Sequence, residues 1–236
     1  MRAGTGNTLS IWQATANLPT YEPLRESAST GIVIVGAGIA GLSCAYALAR
    51  EGHPVVVLDE GEIGSGETAR TSAHLAAGLD DRYCELERLH GPEGALLAAQ
   101  SHSAAIDRIE QIVREENIAC DFERVPGYLV PADDKARNEV GRESLAALRA
   151  GLKVDRLDLF AFGAWKTDVA LRFSDQAQFH PLRYLGGLAQ ACARRGVRIH
   201  TNTRVREVHG GAKASVTTES GLRLRCESIV VATNSP

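Results

Sequence analysis

Ile32-Val33-Ile34-Val35-Gly36-Ala37-Gly38-Ile39-Ala40-Gly41-Leu42 is the stretch from which the rest of the chain is read. An apolar run of strand type meets a glycine-rich turn, and the turn opens into a helical pattern from Ser43 to Arg50 that stops at Gly52. A second apolar run, Val55 to Leu58, ends at an acid, Asp59. Each glycine has a physical task. Gly36 allows the tight turn out of the strand, Gly38 lets a pyrophosphate approach the backbone, and Gly41 lets the helix pack closely on the strand. Free N–H groups at the helix start, with the positive end of the helix dipole, favour phosphates. A carboxylate at Asp59 can accept bonds from a ribose 2′-OH. The three glycines alone carry little weight. With a strand before, a helix after and an acid closing a second strand, they predict a dinucleotide site. A glycine-rich turn without a ligand is the plain alternative, and the terminal acid argues against it.

The loop that follows, Gly61 to Leu75, is rich in small and hydroxyl residues, so its backbone N–H groups can lie against a ligand. Thr68 is expected to cap a short helix, and Arg70 is the cation able to pair with a phosphate or a ring carbonyl. Coming directly after the ribose-binding strand, this loop is expected to return across the cofactor. An ordinary solvent loop is the alternative.

The chain has 236 residues, enough for one large or two small domains, and 44% of them are hydrophobic, enough to bury a core. Its formal net charge of −3 gives no reason to expect nucleic acid or an anionic membrane surface as a partner. No apolar run approaches a membrane span, and the first thirty residues lack the pattern of a signal peptide. Five scattered cysteines, none in a CxxC or CxH pair, read as reduced and mostly buried thiols of a cytoplasmic protein, with no metal expected.

Residues 1–29 read as an extended arm whose Trp12 fills a groove. Asp80 to Ile118 reads as helical, with Pro92 in a first turn and a stripe of Leu96, Ala99, Ser103, Ile106, Ile109 and Val113. His90 and His102 read as surface or packing residues. Cys120 to Val130 reads as a hairpin-like pair of short strands broken at Pro126-Gly127. Ala132 to Gly151 is predicted helical with Val140, Leu145 and Leu148 as its apolar positions. Val154 to Phe173 is irregular, with a strand expected at Val169 to Phe173. A helix is expected from Pro181 through Cys192, its start stabilised by His180, followed by strands at 197–200 and 203–208. A hairpin around Gly221 and a buried strand from Ser228 to Thr233 complete the chain. The order is α/β, then mixed, then α/β again. It predicts a dinucleotide-binding domain (30–80 plus 178–236) interrupted by a partial α+β substrate domain (81–177).

The βαβ unit and the run Gly64-Ser65-Gly66-Glu67-Thr68-Ala69-Arg70-Thr71 resemble the D-amino acid oxidase-like (DAO) family of FAD-dependent oxidoreductases. Phe179-His180-Pro181, Thr203-Arg204-Val205 and Ile229-Val230-Val231-Ala232-Thr233 add to the likeness. Ile11-Trp12-Gln13-Ala14-Thr15 and Arg172 to Pro181 are similar to the subgroup that usually carries a C-terminal Rieske domain; paired Cys and His for such a centre do not occur here.

The resemblance implies a Rossmann-like FAD-binding domain with a parallel sheet. It implies FAD contacts at Gly36, Gly38, Ile39, Ala40, Gly41, Asp59, Glu60, Gly66, Thr68, Ala69, Arg70, Thr71, His74, Val205, Ala232 and Thr233. Asp59 stands where Glu is commoner, and Asn234 where a glycine usually closes the late turn. His74 is the one imidazole in the flavin-side loop; no side chain is assigned as catalytic acid or base. The implied chemistry is oxidation of a small amine or amino acid by hydride transfer to flavin N5, with electrons passed to O2 or another acceptor. Family members continue past this point, so the chain is expected to be part of a longer flavoprotein. An FAD- or ADP-binding fragment without turnover is the alternative. A nicotinamide-dependent dehydrogenase is a third reading, which the Gly64–Leu75 loop and the late strand fit less well than they fit FAD.

Overall fold

The computed structural model describes residues 8–163 and 165–234. The first seven residues of the expected arm and the last two residues of the chain lie outside them. The elements run α1 (Ile11–Thr15), β1 (Ala28–Ser29), β2 (Ile32–Val35), α2 (Ile39–Arg50), β3 (Val55–Leu58), a 3-10 turn (Glu67–Arg70), β4 (His74–Leu75), α3 (Tyr83–Glu115) and β5 (Glu123–Leu129). They continue through α4 (Asp134–Arg149), β6 (Val154–Leu157), β7 (Phe160–Phe162), β8 (Trp165–Thr167), β9 (Ala170–Gln178) and α5 (Pro181–Arg194). Last come β10 (Arg198–His200), β11 (Val205–His209), β12 (Ser215–Thr218), β13 (Arg223–Arg225) and β14 (Ser228–Val231). The chain divides into two compact units, one of residues 1–72, 113–120 and 180–236, the other of residues 73–112 and 121–179. Among the described residues no helix is long and apolar enough to cross a membrane.

The first unit is built on a sheet of order β10-β3-β2-β14 whose pairings are all parallel. Alternation along β2 and β3 decides its layers. Val33, Val35, Val56 and Leu58 face Val216 and Leu224 of a second sheet, ordered β1-β13-β12-β11. Helices α2 and α5 pack on each other and on strands of the parallel sheet. Burial of all of β3 and of β2 after Ile32 explains why both read as unbroken apolar runs. The strand from Ser228 is not the buried one expected: β14 pairs with β2 alone, at the sheet edge, and Val231 is 53% exposed.

Three further features hold this unit together. His180 caps α5, its Nδ1 accepting from the N–H of Arg183 at 3.3 Å, with Pro181 in the first turn. The carboxylate of Glu116 accepts from Tyr46 Oη (2.7 Å), Arg194 (2.8 Å) and Arg195 (2.6 Å), joining the segment after α3 to α2 and α5. The arm is not loose over its described part. Thr201 Oγ1 donates to the carbonyl of Tyr21, the N–H of Leu24 donates to Thr203 Oγ1, and β1 pairs with β13.

The second unit centres on β9, a nine-residue strand that pairs antiparallel with β4, β5 and β6. The region expected to be irregular therefore holds β6, β7 and β8 as well as the start of β9. The expected hairpin at 120–130 is one strand, β5. Pro126 has no N–H for the ladder, and the register shifts between Val125 and Gly127 instead of the chain turning back. Helix α3 kinks at Gly91, whose φ is +74°, and restarts at Pro92. His90 and His102 are exposed.

Helix α4 corrects a further expectation. Leu145 and Leu148 are 59% and 48% exposed, while Val140, Glu143, Ala146, Ala147 and Ala150 are buried. The buried face is small because a carboxylate occupies its centre. Glu143 accepts from the N–H of Tyr83 and of Cys84, both at 3.0 Å, and so serves the start of α3 from another helix. All five cysteines are free, but only Cys120 and Cys192 are buried.

Candidate functional site

The turn between β2 and α2 is where backbone geometry and residue type are most tightly linked. Gly36 has φ +108°, and a Cβ there would lie 2.7 Å from the carbonyl oxygen of Ala232. A Cβ on Gly41 would lie 1.9 Å from the carbonyl oxygen of Gly36. Both positions require glycine for the fold itself. Gly38 does not. Its φ is −75°, and a Cβ there would meet within 4 Å only Thr68 Oγ1, at 3.5 Å. It is the N-cap of α2 and offers no side-chain cap. The first turn of α2 thus presents backbone N–H groups past an open, side-chain-free position.

Thr68 has a different role from the one expected. It lies inside the 3-10 turn, which follows Gly66, and its hydroxyl accepts from the N–H of Ile39 at 3.3 Å. The loop is thereby fastened to the start of α2. Within it Ala69 is fully buried, Arg70 is half-buried and Thr71 is exposed, while Gly66 has nothing within 4 Å of an added Cβ. The carbonyl of Thr71 accepts from Trp12 Nε1 at 2.9 Å.

Asp59 ends β3 with both carboxylate oxygens engaged. Oδ2 accepts from the N–H of Ala37 at 2.6 Å and Oδ1 from the N–H of Gly61 at 2.9 Å. Burial is the largest influence on this carboxyl and pushes it above the ordinary range; the two backbone donors pull against it, and Glu60 adds to the rise. The carboxylate therefore shapes the glycine turn and the next loop while keeping lone pairs for another donor. Glu60 itself points to Arg204, 3.4 Å away, on the exposed surface. The N–H of Thr203 donates to the carbonyl of Asp59 at 2.7 Å, which brings the start of β11 beside the strand end.

The structure gathers Gly36, Gly38, Ile39, Gly41, Asp59, Thr68 and Ala232 through direct contacts. Ala40 is exposed in the first turn of α2. Ala232 donates its N–H to the carbonyl of Val35 at 2.8 Å, and exposed Thr233 follows it. Val205 packs on the core between the two sheets. His74 belongs to the second unit, exposed on β4 opposite Gln178. Among the described residues no three His, Cys, Asp or Glu side chains gather in a way that could hold a metal ion.

Sequence reasoning missed Thr203 and the linkage of Trp12 to the loop. Thr203 gives its hydroxyl to the carbonyl of Thr201 and takes the N–H of Leu24, a pairing that no local pattern announces. For Trp12 a signal existed: Ser10 and Gln13 form a capping box, which marks a short helix.

Comparison with known proteins adds an independent line. The family model described as FAD dependent oxidoreductase matches residues 31–235. The Bacillus subtilis (strain 168) protein YhfW, which carries the name of a Rieske 2Fe-2S iron–sulfur protein, is 31% identical over 96% of this chain and 44% of its own length. The γ-glutamylputrescine oxidoreductase of Escherichia coli (strain K12) is 27% identical over 98% of this chain and 55% of its own. The crystal structure of a glycine oxidase from Geobacillus kaustophilus superposes with a TM-score of 0.71 at 19% identity, covering 87% of this chain and 55% of that one. The chain spans about half the length of the curated relatives it matches.

Proposed function

The chain belongs to the family of FAD-dependent oxidoreductases, and from that premise we propose that its first unit holds FAD for the oxidation of a small amine or amino acid. The observation that carries the cofactor assignment is Gly38. Gly36 and Gly41 are glycine because neighbouring backbone leaves no room, whereas nothing in the fold forbids a side chain at Gly38. A bare position at a helix start whose own N-cap residue carries no side chain is what a pyrophosphate needs. The residues present therefore fit the group.

In this reading the N–H groups of Ala40 and Gly41 face the phosphates beside Ile39, whose own N–H is held by Thr68, and Asp59 directs its remaining lone pairs to a ribose hydroxyl. Glu60 and Val205 border the adenosine end. Gly66, Thr68, Ala69, Arg70 and Thr71 are assigned to the pyrophosphate side, together with Ala232 and Thr233. When bound, the flavin would supply two-electron oxidation of the substrate, with O2 or another acceptor as the terminal oxidant. The chain's part is to bind, to orient and to exclude water; no side chain is assigned as acid or base. The names of the γ-glutamylputrescine oxidoreductase and the glycine oxidase support the substrate class. Five free thiols are consistent with a reducing, cytoplasmic setting.

The test is the absorbance spectrum of the purified protein. Flavin bands that bleach anaerobically on adding an amine or amino acid support the whole reading. Flavin that stays oxidised with every such compound restricts it to cofactor binding. A colourless protein that takes up no added FAD overturns it.

A further inference from the structure

We infer that the N-terminal segment Ser10–Thr15 is a latch that positions the 66–71 loop, with Trp12 as its positioning residue; this rests on the FAD reading for what the loop then holds. The latch has two ends. At one, Trp12 Nε1 donates to the carbonyl of Thr71 at 2.9 Å, immediately after the 3-10 turn. At the other, the Trp12 ring stands edge-on to His180 with centroids 5.1 Å apart, and Thr15 Oγ1 lies 3.0 Å from His180 Nε2. His180 is a fixed post: it is buried, its N–H donates to the carbonyl of Cys120 at 2.6 Å, and its Nδ1 accepts from the Arg183 N–H. Because Nδ1 is an acceptor, Nε2 carries the proton and donates to Thr15.

Packing shows that α1 is not there for the core. It has five residues and buries none of them; Leu9 and Ile11 are 71% and 67% exposed. So short a helix does not persist on its own. It is held by the Ser10–Gln13 capping box, by Thr15 Oγ1 donating to the carbonyl of Ile11 at 2.6 Å, and by the contacts to Thr71 and His180. The loop is consequently fastened to α2 through Thr68 and to the start of α5 through Trp12, in addition to the direct packing of its 3-10 turn on α5. A loop ordered before the cofactor arrives loses less freedom on binding, so its cofactor dissociates more slowly.

The experiment compares the full chain with Trp12→Phe, which keeps the ring against His180 but removes the donor, and with Trp12→Ala, which removes both. Tryptic cleavage of the Arg70–Thr71 bond in the apoprotein reads loop release directly, with cleavage after the exposed Lys213, outside the loop and beside the buried Ala214, as internal control. Cleavage after Arg70 is expected to be about three-fold faster in Trp12→Phe and about ten-fold faster in Trp12→Ala, the scale of one or two modest contacts. The control bond and the apoprotein Tm should stay unchanged, and the FAD dissociation rate should rise in the same order. Unchanged cleavage after Arg70 overturns the latch, as does a general rise that includes the control bond. Faster cleavage with an unchanged FAD dissociation rate overturns its role in cofactor positioning. A wild-type chain that binds no FAD overturns the FAD reading and this role with it, while the apoprotein cleavage rates still separate a latch from a passive tail.

Discussion

A Cβ added to Gly41 would lie 1.9 Å from the carbonyl oxygen of Gly36, so the first residues of α2 rest directly on the backbone that leaves β2. Gly41→Ala must push backbone against backbone, and it is expected to destabilise the protein by about 2–3 kcal/mol. Gly38→Ala, which meets only Thr68 Oγ1 at 3.5 Å, should stay within about 1 kcal/mol of wild type. Urea unfolding monitored by circular dichroism reads both. Gly38→Val should in addition abolish FAD binding while the fold persists; retention of FAD at wild-type affinity would remove Gly38 from the site.

Asp59 holds two loops at once. Asp59→Ala leaves the N–H of the buried Ala37 and that of Gly61 without their acceptor, and should cost about 2–3 kcal/mol. Asp59→Asn keeps one acceptor oxygen and should lose less. A shift of the urea midpoint at constant m-value is the readout, and equal stability of all three proteins would show that the carboxylate does not shape the turn.

Glu143 sits in the second unit with 2% exposure, and both carboxylate oxygens are taken by the first N–H groups of α3. Its removal strands those donors. Glu143→Ala is expected to cost about 2–4 kcal/mol, and Glu143→Gln about half of that. Hydrogen exchange at Tyr83 and Cys84 should accelerate in both variants, and slow exchange there in Glu143→Ala would mean that the donors had found other partners.

Acid sensitivity should trace to Glu116. Burial is the largest influence on this carboxyl and raises it, but the hydrogen bonds from Tyr46, Arg195 and Arg194 outweigh burial and bring it down to about 2 from the ordinary 4.5. A depressed pKa means that the folded state favours the charged form. The stabilisation is complete above pH 4.5 and is lost as pH falls toward about 2. Glu116→Gln should flatten stability over that window. Equally steep acid unfolding in wild type and Glu116→Gln would assign the sensitivity to other carboxylates.

The parallel sheet was legible because β2, β3 and the glycine turn carry their instructions locally, in unbroken apolar runs and in residues with no Cβ. The faces of α4 were not, because the pattern of large apolar residues pointed to Leu145 and Leu148 while the buried side is made of alanines around Glu143. Its reason for lying inward is a pair of N–H groups on another helix, which hydrophobic spacing does not encode. In the same way Pro126 announced a break, but whether the chain turns back or bulges was decided by β9, a strand far along the sequence. Thr68 shows the limit most clearly. Its residue type suggested a cap, yet the helix start it serves is that of α2.

The apposition of Gly36 and Ala232 also sets a timetable. The glycine turn is translated early, but the strand that pairs with β2 places Ser228 beside Ile32, and the carbonyl that closes over Gly36 comes later still. The whole second unit is synthesised in between. A contact of such long sequence separation forms slowly and only after the intervening loop has been closed. On the ribosome the turn therefore waits with one side uncovered until the strand from Ser228 has been made.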